Sequence, residues 1–483
     1  MPLKLYNTKN RKKEEFIPLH EGKVNFYACG PTVYDYFHIG NARPLIMFDA
    51  LRRYLEYKGL DVNYIVNITD VDDKIIRRAN EAGIDFKALT DKYTDAFFEG
   101  CEQLGVRPAT EHPRATEFIG GMMELIERLI EKGNAYAVDG DVYFDIDSYK
   151  GYGKLSGRDV EQMRAGARVD VDSRKKNPLD FALWKSVKPD EPSWDSPWGK
   201  GRPGWHIECS VMGMHYAGDT LDIHAGGQDL IFPHHENEAA QSEAATGKTF
   251  ARYWLHNGFL DIEGEKMSKS LGNFLMVKDI IKEYDPMAIR VFFMLKHYRS
   301  PIDFSRDRIT EAKAALDRLR NAYAKITRVL GNISMISTAG ISKVQPPSSL
   351  THTFSNIEKI TDLKSSMEEA LDDDFNTARA IGCLFDIAKT VNSMDEQSAD
   401  APHVMVAAKD VFDTIGTAVF GITFEVQAGG DKIVDDLVQL LIKLRAEARA
   451  DKNWALSDVI RDRLKEIGVV LEDRADGTSW KLA

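Results

Sequence analysis

Lys266 and Lys269 fall within the pentad Lys266-Met267-Ser268-Lys269-Ser270, and far upstream Phe37-His38-Ile39-Gly40-Asn41 sets a histidine and an amide around a glycine. Each string is ordinary alone. Loop lysines are usually solvated, and a His-x-Gly-x string also suits a turn with a helix-capping asparagine. In this order the two supply what a nucleoside triphosphate needs. A helix start offers unpaired N–H groups and partial positive charge to phosphates, and His38 and Asn41 can add hydrogen bonds. Lysines on a loop announced by Glu263-Gly264-Glu265 can neutralise pyrophosphate as it leaves. The expected chemistry is activation of a substrate by attack on the α-phosphate of ATP.

A second group of residues suits a metal. His234 and Glu238 are four apart in a stretch, His234 to Thr246, that reads as helix, so both project from one face. The cysteines at 29, 101, 209 and 383 are too few and too scattered for a disulfide framework. Adding Cys29 and Cys209 would complete a Cys₂HisGlu set acceptable to tetrahedral zinc. A solvated helix face and two core cysteines fit the same residues, and spacing alone does not decide.

These residues need a scaffold. Val24, Phe26 and Ala28 alternate as a strand that stops at Cys29-Gly30-Pro31. Helical periodicity follows from Asn41 or Ala42 to Lys58, with Gly59 as the stop, and Asp61 to Thr69 reads as the next strand. Strand, helix, strand predicts a parallel crossover in a doubly wound Rossmann-type sheet, which binds ligands at the carboxyl ends of its strands. Beyond it come a helix from Glu117 to Glu131, a hairpin around Asp139-Gly140 and a proline-rich loop, read as an insertion. Leu221 to His224 resumes the sheet. Amphipathic helices follow at Asp307 to Leu330, Ile357 to Ala370 and Thr377 to Met394, with linkers near Ser334 to Ser355 and Asp395 to Pro402. The expected division is a catalytic domain at 1–114 and 203–265, a connective insertion at 115–202, a loop and stem-contact region at 266–310, a helical bundle at 311–425 and a small α/β domain at 431–483.

Hydrophobic content of 43% with 29% charged residues supports packed cores over 483 residues and excludes wholesale disorder. The net charge of −12 argues against nonspecific affinity for nucleic acid. The absence of a signal core, presequence or long apolar run reads as a cytosolic chain without a membrane span.

The two signature strings resemble the HIGH and KMSKS motifs of class I aminoacyl-tRNA synthetases. Cys29 to Asp35 (CGPTVYD), Arg202 to Ser210 (RPGWHIECS), Phe232 to Glu238 (FPHHENE), Leu371 to Thr377 (LDDDFNT) and Leu471 to Lys481 (LEDRADGTSWK) are similar, within that class, to the cysteinyl-tRNA synthetases. The likeness runs nearly the full length. One departure is Asn41, where the class motif ends in histidine; an amide still donates to a phosphate oxygen.

The resemblance implies ATP-dependent conversion of L-cysteine to cysteinyl-adenylate with release of diphosphate, then transfer to tRNA(Cys) with release of AMP. It implies catalytic roles for His38, Asn41, Lys266 and Lys269, with Mg²⁺ on the ATP. Gly30, Thr32, Gly40, Thr69, Trp205, His224, Gly226, Gly227 and Asp229 are implied to contact substrate or ATP, with Asp229 at a ribose hydroxyl. Cys29, Cys209, His234 and Glu238 match the family's zinc ligands one by one, for one Zn²⁺ per chain. Such an ion would prefer a thiolate to an alcohol, which pocket shape separates poorly. His206, His224, His235 and His256 suit either support of those ligands or ordinary core packing. In the tail, Trp454, Trp480, Arg461, Arg463 and Lys465 interleave aromatic and basic groups, as single-stranded RNA recognition requires, and by resemblance Trp480 and Arg461 contact the anticodon. A monomer suffices. A cysteine ligase acting on a small amine acceptor would not need that tail, and a noncatalytic paralogue would not need the lysines or the zinc set.

Overall fold

The computed structural model describes residues 1–160, 172–262, 265–266, 275–338, 350–425, 430–474 and 477–482, and the chain forms two compact units, 1–424 and 425–483. The first unit opens with a short antiparallel pair, β1 (Lys4–Asn7) and β2 (Lys12–Glu15), before β3 (Lys23–Ala28) enters the main sheet. Helix α1 (Ile39–Tyr57) follows, beginning slightly earlier than the periodicity predicts because His38 takes the cap position in extended conformation. Its buried positions, Ile39, Ala42, Arg43, Ile46, Met47, Ala50 and Leu51, recur at helical spacing and face the sheet. Its end is a Schellman turn: Gly59, at φ +86°, donates to the Glu56 carbonyl at 2.9 Å and Leu60 to the Leu55 carbonyl at 3.1 Å.

Strand β4 (Asp61–Val66) runs parallel to β3, pairing Phe26 with Tyr64. The regular strand ends at Val66, short of the predicted 61–69, although Ile68 and Thr69 still form isolated parallel bridges to Arg114 and Thr32. Helices α2 (Asp73–Ala82) and α3 (Phe86–Gln103) precede the expected insertion, whose first helix is α4 (Ile119–Glu131). The insertion is an antiparallel sheet in the order β5 (Ala135–Val138), β6 (Asp141–Phe144), β7 (Phe181–Ser186), β8 (Gly201–Pro203). Helix α5 (Trp205–Ala217) then feeds β9 (Leu221–Gly227), and α6 (Glu236–Thr246) precedes β10 (Ala251–Asn257).

The main sheet has the order β10-β9-β3-β4, all parallel. From β3 the chain winds one way to β4, and β9 continues the other way to β10. The reversal falls between β3 and β9, where a doubly wound sheet opens its ligand crevice. Phe26 and Tyr27 are both fully buried, so simple alternation fails on β3: a central parallel strand is covered on both faces.

A small sheet joins β11 (Leu260–Ile262) to β12 (Glu265–Lys266) and, in parallel, to β13 (Ile302–Phe304), with α7 (Val277–Glu283) and α8 (Pro286–Met294) between. Helices α9 (Arg306–Thr338), α10 (Leu350–Asp372), α11 (Thr377–Ser393) and α12 (Ala401–Val411) complete this unit. The linker expected over Ser334 to Ser355 is helical at both ends, through Thr338 and again from Leu350; the rest of it lies outside the described residues. The second unit holds α13 (Gly430–Ala450), α14 (Trp454–Glu466) and a hairpin of β14 (Val469–Arg474) and β15 (Gly477–Leu482). The strand at β15 carries few apolar residues and was not expected. Among the described residues no helix is long and apolar enough to cross a membrane.

Candidate functional site

The carboxyl ends of β3, β4 and β9 converge on the crevice. Gly30 follows β3, and a Cβ there would lie 1.7 Å from the Asn67 carbonyl oxygen, so only glycine admits this approach. Its N–H donates to Asn67 Oδ1 at 2.8 Å. Thr32 bridges to Thr69, whose hydroxyl donates to Glu208 Oε2 at 2.8 Å in the interior. Burial, helped by the charge of Cys209, pushes the Glu208 carboxyl well above the usual range.

At the start of α1, Asn41 Oδ1 accepts from the His38 N–H at 3.4 Å, and Gly40 lies in the first turn. Here the chain meets the far side of the second signature. Ile39 donates to the Leu275 carbonyl at 2.9 Å, and Val277 donates to the Phe37 carbonyl at 3.1 Å. Lys266 ends β12 as backbone, while Lys269 and the rest of the pentad lie outside the described residues.

Residues from three elements meet below the crevice in a largely buried cluster. Cys29 comes from the end of β3, Cys209 from α5, and His234 and Glu238 from the entry and first turn of α6. One donor atom from each of these four residues lies within 4.8 Å of the others. The two thiols are 4.0 Å apart, Cys29 Sγ is 3.7 Å from Glu238 Oε1, and His234 Nε2 is 2.9 Å from that same oxygen. A second candidate quartet, Cys29, His224, His235 and Glu238, overlaps the first.

The electrostatics fit a cation. Burial opposes ionisation of Glu238, yet His224 and His234 hold its carboxyl well below the usual range. A hydrogen bond from Cys29, against burial and with help from His234, draws the Cys209 thiol down to about 6. Burial opposes protonation of His234, but Glu238 and Cys209 raise it to about 10. Burial, with Cys209 and Glu238 beside it, pushes the Cys29 thiol well up. The negative field that retains protons on Cys29 and His234 equally favours a divalent ion in exchange for them.

Of the remaining histidines, His206, His224 and His235 touch this set directly. His206 Nδ1 meets His234 Nδ1 at 2.9 Å, and His224 Nε2 meets Glu238 Oε2 at 2.7 Å. Such outer contacts fix the orientation of metal-binding side chains. His235 Nε2 reaches Cys29 Sγ at 3.2 Å, and its Nδ1 continues to His256 and thence to Thr8. Trp205 opens α5 and stacks on His234 at 4.3 Å between ring centres, about one-third exposed to the crevice. It is placed there by Gly204, where a Cβ would lie 2.0 Å from the Ala182 carbonyl oxygen of β7. Across the crevice a Cβ on Gly226 would meet the His235 ring at 2.8 Å, and one on Gly227 would meet Asp229 Oδ1 at 2.3 Å. Asp229 itself is exposed.

A parallel sheet opening on the first signature string and a thiol-rich cluster narrows the family sharply. The model for tRNA synthetases class I (C) catalytic domain matches residues 15–314, the DALR domain matches 366–425, and the cysteinyl-tRNA ligase anticodon binding domain matches 434–480. Cysteine–tRNA ligases from Bacillus velezensis and Clostridioides difficile are 51% and 50% identical, covering 100% and 99% of this chain and 99% and 100% of their own. The chain belongs to the cysteine–tRNA ligases. The fold is shared more widely in the class. Mycobacterium tuberculosis methionyl-tRNA synthetase with methionyl-adenylate superposes at a TM-score of 0.60 and 18% identity, over 85% of this chain and 93% of its own. An Agrobacterium radiobacter LeuRS–tRNA–LeuAMS complex gives 0.60 at 11% identity, over 84% and 85%.

In this cysteine–tRNA ligase the second unit has its own small core. Trp480 pairs with Leu471 across the hairpin and packs on Val438, Leu464 and Val469, while Trp454 is largely exposed at the start of α14. Arg461 lies on α14, 3.3 Å from Asp458 and 3.2 Å from Asp462. Sequence reading missed Arg43 and Glu208, each fully buried near the crevice. A charged residue among apolar helix positions was the only signal for either.

Proposed function

We propose that this cysteine–tRNA ligase selects its amino acid through a zinc ion held by Cys29, Cys209, His234 and Glu238. The observation that carries the reading is the convergence of those donor atoms within 4.8 Å at the carboxyl end of β3. Bound there, zinc would supply a soft Lewis acid that accepts the thiolate of cysteine and discriminates against the hydroxyl of serine. His206 and His224 orient the ligand side chains, and Trp205 walls the pocket.

ATP enters with Mg²⁺ along the start of α1. His38, Gly40 and Asn41 receive its phosphates, Gly30, Thr32 and Thr69 shape the floor, and Gly226, Gly227 and Asp229 receive the nucleoside. Lys266 and Lys269 neutralise the departing diphosphate. The cysteine carboxylate attacks the α-phosphate itself, so no protein nucleophile is needed; positioning and charge neutralisation carry catalysis. A 3′-terminal ribose hydroxyl of tRNA(Cys) then attacks the acyl carbon of the adenylate, taking the cysteinyl group as AMP leaves; the anticodon of that tRNA meets the second unit, with Arg461 and Trp480 as expected contacts and exposed Trp454 as a further aromatic platform. A monomer suffices for this reading, which also implies a cytoplasmic enzyme.

The test is cysteine-dependent ATP–pyrophosphate exchange with serine as competitor, run with zinc content on the purified chain and on Cys209→Ser. Cysteine-specific exchange that is lost together with zinc in the variant supports the assignment. Full zinc content in Cys209→Ser, with loss in His235→Ala, would move the ion to the overlapping quartet.

A further inference from the structure

No step above uses Arg43, two residues beyond Asn41, or the acidic string Leu371 to Thr377. The structure brings both to one short segment, His297 to Ser300, between α8 and β13. Arg43 is fully buried, and its guanidinium donates to the carbonyls of Gly258 at 2.7 Å, Phe259 at 2.9 Å, His297 at 3.3 Å and Ser300 at 2.6 Å. Its partners are backbone dipoles on two separate stretches of chain. A planar guanidinium can hold several such acceptors in fixed relation, which a lysine cannot.

Asp374, also fully buried, grips the side chains of the same segment. It accepts from the Tyr298 hydroxyl at 2.9 Å and from Arg299 at 2.7 and 2.6 Å, lies 3.5 Å from His297 Nε2, and takes the Tyr6 N–H at 2.8 Å. Asp374 and Phe375 both adopt positive φ, +62° and +49°, a conformation that persists only where surroundings over-determine it. The turn links α10 to α11, so the helical region reaches the segment directly.

What the segment carries is the second signature loop. Gly258 donates to the Tyr298 carbonyl at 2.8 Å and Ile302 to the Phe259 carbonyl at 3.0 Å. A Cβ at Gly258 would sit 2.6 Å from the carbonyl oxygens of Arg299 and Ser300, so the approach requires glycine. From there β13 pairs with β11, and β11 with β12, which ends at Lys266. The described residues on both sides of the second signature are thus tied to the α1 region, Lys266 through β12, β11 and the segment that Arg43 holds, and Leu275 and Val277 through Ile39 and Phe37.

We infer that Arg43 and Asp374 are positioning residues for adenylate formation, fixing His297–Ser300 and through it the base of the second signature loop against the phosphate-binding start of α1. The inference rests on the cysteine–tRNA ligase reading. The lysines of the loop act on the triphosphate, and among the described residues neither Arg43 nor Asp374 bonds to a member of the metal cluster, so the effect falls on ATP and on turnover, not on cysteine binding.

The experiment is ATP–pyrophosphate exchange on the full chain, normalised by active-site titration, for Arg43→Lys and Asp374→Asn. Asp373→Asn, a partly exposed neighbour paired with Lys13, is the control. Small misplacement of a catalytic group costs up to about 100-fold, so kcat is expected to fall about 10- to 100-fold with a raised KM for ATP. The KM for cysteine stays within about twofold, and the double variant is little worse than the poorer single one, because both act through one segment. Should either variant fail to fold, Tyr298→Phe removes one hydrogen bond to Asp374 and is expected to move the same two parameters less. Wild-type kcat and KM values per titrated site, even with a lower melting temperature, would overturn the inference, as would a parallel rise in the KM for cysteine. Absence of cysteine-dependent exchange in the unaltered chain would instead sink the proposed function on which the inference rests.

Discussion

His224 Nε2 lies 2.7 Å from Glu238 Oε2, both side chains fully buried, so the carboxylate that faces the two cysteines with one oxygen is held from behind by the other. His224→Gln is expected to leave the fold intact and to weaken zinc retention about 10- to 100-fold, the usual effect of losing a partner that orients a metal-binding side chain. Zinc content after stepwise chelator titration measures this; undiminished retention would mean that His224 is only packing.

Gly30→Ala tests the close approach of the strand end to the Asn67 carbonyl. With a Cβ placed 1.7 Å from that oxygen, the backbone must shift. The expected cost is about 3 kcal/mol, the upper range for overpacking, with loss of exchange activity at temperatures where the variant remains folded. Chemical denaturation and exchange assays on the same preparation separate the two effects.

Lys269→Ala is expected to lower kcat for adenylate formation by about 10²- to 10³-fold, the scale for removing one preorganised group at a developing charge. The KM for cysteine should not change. A loss confined to the cysteine KM would place Lys269 in the wrong role.

His112 gives a pH dependence away from the cluster. Burial holds its imidazole below the ordinary value, against the pull of the Val66 carbonyl 3.0 Å away. The unfolded chain therefore takes up a proton near pH 6.5 that the folded chain refuses, and stability is lost as pH falls from about 6.5 toward the lower folded value. His112→Gln should flatten the fall in melting temperature between about pH 7.5 and 5.5. An unchanged slope would assign that dependence to other groups.

The parallel crossover and both signature strings were legible because each is carried by residue type at fixed local spacing; of the cluster only His234 and Glu238 share such spacing, and Cys29 and Cys209 joined them through the family resemblance alone. The Arg43 clamp was not legible: its acceptors are backbone carbonyls of residues 258 to 300, and a carbonyl has no identity in sequence. The same holds for Asp374, which stood in a recognisable string while its partners were set by folding. The second hairpin strand was hidden for another reason, since Trp480 and Leu482 are its only large apolar side chains and pairing with β14 defines it.

The donors of the cluster span most of the catalytic half, from Cys29 to Glu238. During synthesis Cys29 leaves the ribosome early and must wait, as a free thiol, until α6 has been made before the quartet can close. A chain interrupted before residue 238 lacks its carboxylate arm however well β3 and β4 have already paired. Were zinc to fill the quartet as proposed, its loading would be a late checkpoint on the nascent protein, and the premature thiol would be the part of it most exposed to oxidation in the interval.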